Sequence, residues 1–281
     1  MDSLLIDCDF MAAKEAAARQ CRYMAVAEAD ALLSAAGART DGHAVNMEKL
    51  YATMRKAQRK RVTTEVLSSP WHVAGVPDEE SVCAYLREWK SLGSEALRMR
   101  LAEMLTISAS RTGWQERYQF SCLESGSALV YGLVDLPAGG DGALFLDGTG
   151  HITTDRAKSL AKSIDFVGRC RVSETREVKV AIAAKYTEID GGAQDNQARD
   201  LLRFAQTAMD VATARNDADN AVIVMLLCDG EYYGKRHANL GLPGAMAFRD
   251  EVRQKYHEKL VGCTDTANFD VELARVISKL A

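Results

Sequence analysis

Asp165 and Lys185 are the two side chains whose types and spacing point most directly to chemistry. Asp165 stands in Ser-Ile-Asp-Phe, and Lys185 stands twenty residues later in Ile-Ala-Ala-Lys-Tyr. Hydrolysing a phosphodiester needs a divalent cation that neutralises developing charge and acidifies a water. It also needs carboxylates that hold the cation and a cation or base that orients the water. A β-hairpin suits this chemistry, because residues facing the same side of neighbouring strands lie within a few ångströms of each other. Ala183, two residues before Lys185, shares a strand face with it.

The elements around this pair have to position it. Ser163–Arg171 and Val178–Tyr186 are β-rich runs joined by the polar turn Ser173–Glu177, which predicts an antiparallel hairpin. From Asp195 to Arg215 the residues Ala198, Leu201, Leu202, Ala205, Ala208 and Met209 recur on one helical face. Ala221–Cys228 is an unbroken apolar run, as a strand buried on both faces should be. Phe248–Leu260 and Phe269–Leu280 read as closing helices. Upstream, Glu116–Leu123 reads as a helix, Leu129–Leu136 and Ala143–Leu146 as strands around the turn Pro137–Gly142, and Thr154–Lys162 as a short helix. This order predicts an α/β core with a mixed central sheet flanked by helices. Residues 1–105 read as helical, through Ala12–Leu33, Met47–Met54 and Val82–Leu105, with an irregular break from Ser68 to Asp78. Two parts follow: a helical N-terminal region at 1–110, serving dimerisation or DNA clamping, and a core at 111–281.

The hairpin with Asp165 and Lys185 resembles the PD-(D/E)XK nuclease superfamily, which includes most type II restriction endonucleases. That family places an acid at the start of one strand and, on the next, a carboxylate, any residue and a lysine. Asp165 matches the first acid and Lys185 the lysine. Ala183 stands where the second carboxylate belongs, and Ile164 stands where the family has proline. After the lysine, Tyr186 to Gln197 gives a glycine turn and a glutamine-bearing helix start, and Cys228 to Tyr233 gives a polar edge after the buried strand, both similar to the family. The resemblance covers about residues 115–260. It implies a restriction-endonuclease-like core that hydrolyses double-stranded DNA with Mg2+, leaving a 5′-phosphate and a 3′-hydroxyl. It further implies a homodimer on a palindromic site, within restriction-modification. Asp165 and residue 183 would hold the metal, and Lys185 would position the water. With alanine at 183 the chain is an inactive form, or its second carboxylate comes from elsewhere: Glu188, Glu174 or Glu116. A DNA-binding protein that kept the fold without catalysis is the alternative. An unrelated α/β protein with a structural Asp165–Lys185 ion pair is a third reading.

Other residues could touch DNA. Gln194 and Gln197 begin the helix after the glycine turn, where phosphates are favoured. Met54–Arg61 carries five basic residues in eight, among them Arg55, Lys56 and Arg59, and could clamp a phosphate backbone. Lys235, Arg236 and His237 follow the last core strand. Arg111 and Arg117, with Trp114, could reach base edges. Each of these is also an ordinary solvated surface residue. His43, His72, His151 and His257 lack an acid or thiol at ligand spacing and read as structural.

The composition narrows the field. A formal net charge of −4 and a pI near 5.8 do not fit a protein that coats itself in nucleic acid, so any DNA contact must come from a local basic surface. The seven cysteines include no CxxC pair, which points to reduced, buried thiols rather than a zinc site or disulfide framework, and to the cytoplasm. The acidic N-terminus is no secretory signal, and no apolar run is long enough for a membrane span.

Overall fold

Five strands form the sheet that carries the hairpin. In this computed structural model they are β1 (Val130–Asp135), β4 (Phe166–Ser173), β5 (Arg176–Tyr186), β6 (Val222–Asp229) and β7 (Val261–Thr264), in the spatial order β1-β4-β5-β6-β7. The structure describes residues 2–37, 45–69, 75–107, 113–159, 161–187, 192–217 and 219–280, with the backbone only at 2–9, 192 and 193. β1 pairs antiparallel with β4 and β4 antiparallel with β5, whereas β5, β6 and β7 run parallel. The sheet is therefore mixed, and the chain is α/β. β2 (Phe145–Leu146) and β3 (Ile152–Thr153) make a separate two-stranded ribbon.

Alternation along the hairpin sorts two cores. Phe166, Cys170, Val178, Val180, Ile182 and Ala184 face one side, against Leu123, Leu273 and Val276. Those partners come from α6 (Trp114–Gly126) and α10 (Phe269–Ile277). Ala181 and Ala183 face the other side, where Ala198, Leu201, Leu202 and Ala205 of α7 (Gly192–Thr207) and Val252 of α9 (Phe248–Lys255) cover them. β6 is buried along almost its whole length because helices cover both of its faces. α8 (Val211–Asn216) completes this part.

The chain divides into two compact units, Met1–Asp7 with Gln115–Ala281, and Cys8–Trp114. The second is helical: α1 (Asp2–Ala35) from Cys8 onward, α2 (Met47–Thr53), α3 (Lys56–Leu67), α4 (Asp78–Ser91) and α5 (Ser94–Leu105), around a core that includes Leu50, Val62, Leu86 and Leu101. Among the described residues no helix is long and apolar enough to cross a membrane.

Four sequence expectations need correction. The helix expected over Val82–Leu105 breaks between α4 and α5 at Gly93, whose φ of +115° only glycine adopts readily. The helix expected to run to Arg215 stops at Thr207. Past its end the carbonyls of Ala208 and Met209 accept from Lys259 Nζ and Leu260 N, so tertiary bonds replace helical ones. The closing helix expected over Phe248–Leu260 ends at Lys255, and the fifth strand, Val261–Thr264, was not foreseen. Among the described residues of Thr154–Lys162 helix is confined to the single 3-10 turn Arg156–Lys158, followed by a bridge from Ser159 to Asp147.

One glycine fixes how β5 and β6 end. Gly230 has φ +94°, and a Cβ there would sit 2.1 Å from Thr187 O. Thr187 N donates to Asp229 O and Tyr232 N donates to Thr187 O, so the two strand ends close on each other through this point. Gly230→Ala should therefore destabilise the chain by about 2–3 kcal/mol, a loss of roughly 5–10 °C in thermal unfolding. An unchanged melting temperature would show that the crossing tolerates a side chain.

Candidate active site

The site lies where β5 and β6 end and β4 begins. The ladder between β4 and β5 runs out at Phe166 and Ile182. Beyond it, Asp165 N still donates to Ile182 O at 3.0 Å, and Leu136 N donates to Asp165 O at 2.9 Å. The Asp165 carboxylate then takes over from the backbone: its Oδ2 accepts from Ala184 N at 2.8 Å. Three bonds on one residue fix the carboxylate at the end of β5.

Lys185 meets it there. Its Nζ lies 3.4 Å from Asp165 Oδ2 and donates to Ala184 O at 2.5 Å. A second carboxylate approaches from α6, where Glu116 Oε1 is 3.8 Å from Lys185 Nζ. The other oxygen, Oε2, is buried and has no hydrogen-bond partner among the described residues. Burial pushes the Asp165 carboxyl above its ordinary range. Lys185 and the Ala184 amide pull it back, and Glu116 pushes it further up.

A neighbouring network anchors α6 to the strand ends. Gln119, one turn after Glu116, is buried, and its Nε2 donates to Asp229 Oδ2 at 2.5 Å and lies 3.4 Å from Lys185 O. Asp229 also accepts from Thr266 N at 2.8 Å and from the Thr266 hydroxyl. Burial raises the Asp229 carboxyl, while the Thr266 and Gln119 bonds oppose that rise. Sequence reasoning did not single out Gln119, Asp229 or Thr266. The available signals were an acid closing the apolar run of β6 and a glutamine three residues after Glu116, on the same helical face.

Ala183 is buried at 2% exposure in the apolar cluster with Leu146, Ile164 and Ala198, and contributes no polar atom. Of the carboxylates that could substitute, Glu116 is in the site. Glu174 is exposed at the far end of the hairpin, and Glu188 lies outside the described residues. Gln197 reaches the end of β5, with its Oε1 3.1 Å from the Thr187 hydroxyl, and Gln194 is half-buried in the first turn of α7.

The remaining candidates are not gathered into the site's hydrogen bonds. In their own unit, Arg55 pairs with Glu28 at 2.6 Å, and Arg59 donates to Met54 O at 2.9 Å and Ala52 O at 2.6 Å; Lys56 is exposed. Two of the three residues proposed for a phosphate clamp thus have donors already engaged. Lys235 pairs with Glu231 at 3.3 Å and Arg236 is exposed. His237 bonds Tyr232 O at 2.7 Å and stacks on its ring. Arg117 is exposed, and Trp114 is buried. His151 does have an acidic partner, Asp217 Oδ2 at 3.4 Å from Nε2, distant in sequence and joined by the fold. His257 bonds Gln254 O. His43, His72 and Arg111 lie outside the described residues.

The donor set suits a hard divalent cation. The Asp165 carboxylate, the unpartnered Glu116 Oε2 and the Ala184 carbonyl are all oxygens. Among the described residues no three His, Cys, Asp or Glu side chains gather at ligand distance, so such an ion would keep several waters, as Mg2+ does.

The raised Asp165 carboxyl has a consequence for stability. The folded protein binds the Asp165 proton more tightly than the unfolded chain does, so ionisation of this group costs stability as pH rises from its unfolded value, near 3.8, through its folded one. Asp165→Asn should therefore raise the unfolding midpoint at neutral pH, and the gain should shrink as pH falls through the carboxylate range. Urea unfolding at several pH values measures this; a variant less stable than the parent at pH 7 contradicts it.

In comparison with known proteins the chain matches no family model, no curated protein and no solved structure.

Proposed function

We propose that this chain is a Mg2+-dependent endonuclease that hydrolyses double-stranded DNA, with Asp165 and Glu116 as its carboxylates and Lys185 as its catalytic cation. The observation that carries the reading is the meeting of Lys185 with Asp165 at 3.4 Å and Glu116 at 3.8 Å at one sheet end. The resemblance of the hairpin to PD-(D/E)XK nucleases supplies the substrate. It also supplies the finer expectations of a sequence-specific, type II restriction enzyme acting as a homodimer, while the cysteine pattern supplies the cytoplasmic location.

The roles follow from the geometry. Asp165, fixed by the Ala184 amide, and Glu116, through its unpartnered Oε2, would hold the metal together with the Ala184 carbonyl. Bound there, Mg2+ would neutralise charge developing on the phosphate and lower the pKa of the attacking water. Lys185 would donate to the scissile phosphate and orient that water. To do so its ammonium must turn away from the Ala184 carbonyl and the carboxylates, which a second cation among them favours by repulsion. Gln119 and Asp229 keep α6, and with it Glu116, against the strand ends.

The placement of Glu116 favours an active chain over an inactive form that lacks a carboxylate at 183. The test is Mg2+-dependent cleavage of a varied DNA substrate. Wild type should cut, while Glu116→Gln, Asp165→Asn and Lys185→Ala should each lose more than the ~10–100-fold typical of removing an outer-layer partner. If wild type is silent and Ala183→Glu cuts, the chain is the inactive form and Glu116 is not a ligand. If both are silent while duplex is bound, the protein is a non-catalytic DNA binder on this fold and the hydrolase reading fails.

A further inference from the structure

The outer stretch of the β4–β5 hairpin carries a charge pattern that the core does not require. Alternation turns Phe166 and Cys170 of β4 inward and Arg169 and Arg171 outward; on β5 it turns Val178 and Val180 inward and Glu177 and Lys179 outward. The register sets Arg169 directly opposite Lys179. Like charges facing each other across an antiparallel pair are destabilising.

Local acids do not relieve this. Glu177 lies 3.6 Å from Arg171 and 4.0 Å from Arg169, and the Tyr131 hydroxyl of the adjacent β1 donates to it as well. Among the described residues Lys179 has no ion pair. Arg169 and Arg171 are 64% and 66% exposed, so the face is open to a partner. Two cations thus share one acid beside a third with no ion pair, on an outward face of a chain whose formal net charge is −4. The same strands lead to the site. Arg169 and Arg171 lie four and six residues along β4 from Asp165, about 13 and 20 Å at ~3.3 Å per residue. Lys179 and Lys185 share one face of β5 by register, on either side of Ala181 and Ala183, which α7 covers.

We propose that Arg169, Arg171 and Lys179 form a contact surface for the phosphate backbone of double-stranded DNA, gripping the duplex several nucleotides from the phosphate at Lys185. A phosphate oxygen between Arg169 and Lys179 turns their repulsion into two charge-assisted bonds. Such contacts set the register of a duplex without reading its sequence. With the duplex axis along β4, at ~3.4 Å of axial rise per nucleotide, the surface reaches phosphates about four to six nucleotides from the scissile one. The assignment rests on the DNA-hydrolase reading of the strand-end site and names where that substrate continues.

Binding of a labelled short duplex, with Ca2+ in place of Mg2+, tests the surface from about 50 to 200 mM salt. Arg169→Ala and Lys179→Ala should each weaken binding several-fold and reduce the slope of log affinity against log salt by ~0.9, one lost phosphate contact. Glu177→Gln, which removes the local acid, should tighten binding. If wild type binds and the two alanine variants keep its affinity and slope, the surface is not a contact, while the hydrolase reading stands. Weakened variants of a wild type that binds but never cleaves keep the surface and overturn the hydrolase reading. A wild type without salt-dependent duplex binding overturns both.

Discussion

One ammonium group shared by two carboxylates at the end of a β-ladder is the constraint around which the site is arranged. Lys185 and Asp165, 3.4 Å apart and each about one-fifth exposed, attract by about 5 kcal/mol at an effective dielectric of ~20. Removing each ion from bulk water costs several kcal/mol, so the pair adds little net stability. Burial nonetheless drives the Asp165 carboxyl upward, so the fold tolerates an unfavourable charge there. What holds the group in place is the backbone: Asp165 binds Ile182, Leu136 and Ala184 through its N–H, its carbonyl and its side chain. Perturbed carboxylates cluster at functional sites, and structural ion-pair networks perturb them as well.

The sheet topology explains why these groups meet. β4 runs antiparallel to β5, so its first residue lies beside the last residues of β5; β6 runs parallel to β5, so Asp229 arrives at the same end. An α/β sheet commonly opens its ligand crevice at the carboxyl ends of parallel strands. Here the antiparallel neighbour adds an acid to that edge from the start of its own strand. α6 closes the edge, tied down by Gln119 between Asp229 and the Lys185 carbonyl.

The hairpin was legible because its alternation is strong in β4 and its turn is polar, and a period-2 pattern admits little else. β6 was legible because eight apolar residues in a row, rich in β-branched side chains at their start and too few for a typical helix, suit a strand covered on both faces. β7 was hidden: Val-Gly-Cys-Thr is too short to show a period and follows a helix whose apolar residues continue to Leu260. The end of α7 was hidden for a different reason. Ala208 and Met209 keep the helical spacing, but their carbonyls bond Lys259 and Leu260, which no local pattern reports. In the site, Asp165 and Lys185 could be read because they belong to a single hairpin. Glu116 could be named but not placed, since its approach to Lys185 depends on how α6 packs across Phe120 and Phe166. The basic run at Met54–Arg61 looked free in sequence, yet Arg55 and Arg59 spend their donors on Glu28 and on α2 carbonyls.

The charge distribution follows the same logic of local competition. At physiological ionic strength an exposed charge is screened within about 8 Å, so a net charge of −4 spread over the chain says little about any one face. What matters is which cations have already found acids. Lys162 and Arg203 share Asp200, and Arg253 and Arg275 share Glu272. Arg98 engages Asp30 and Glu95. On the hairpin the strand register sets Arg169 against Lys179, and the single acid beside them, Glu177, is already divided between Arg169 and Arg171. An acidic protein can therefore present a polyanion with a favourable face, provided the backbone rather than the composition decides which charges meet.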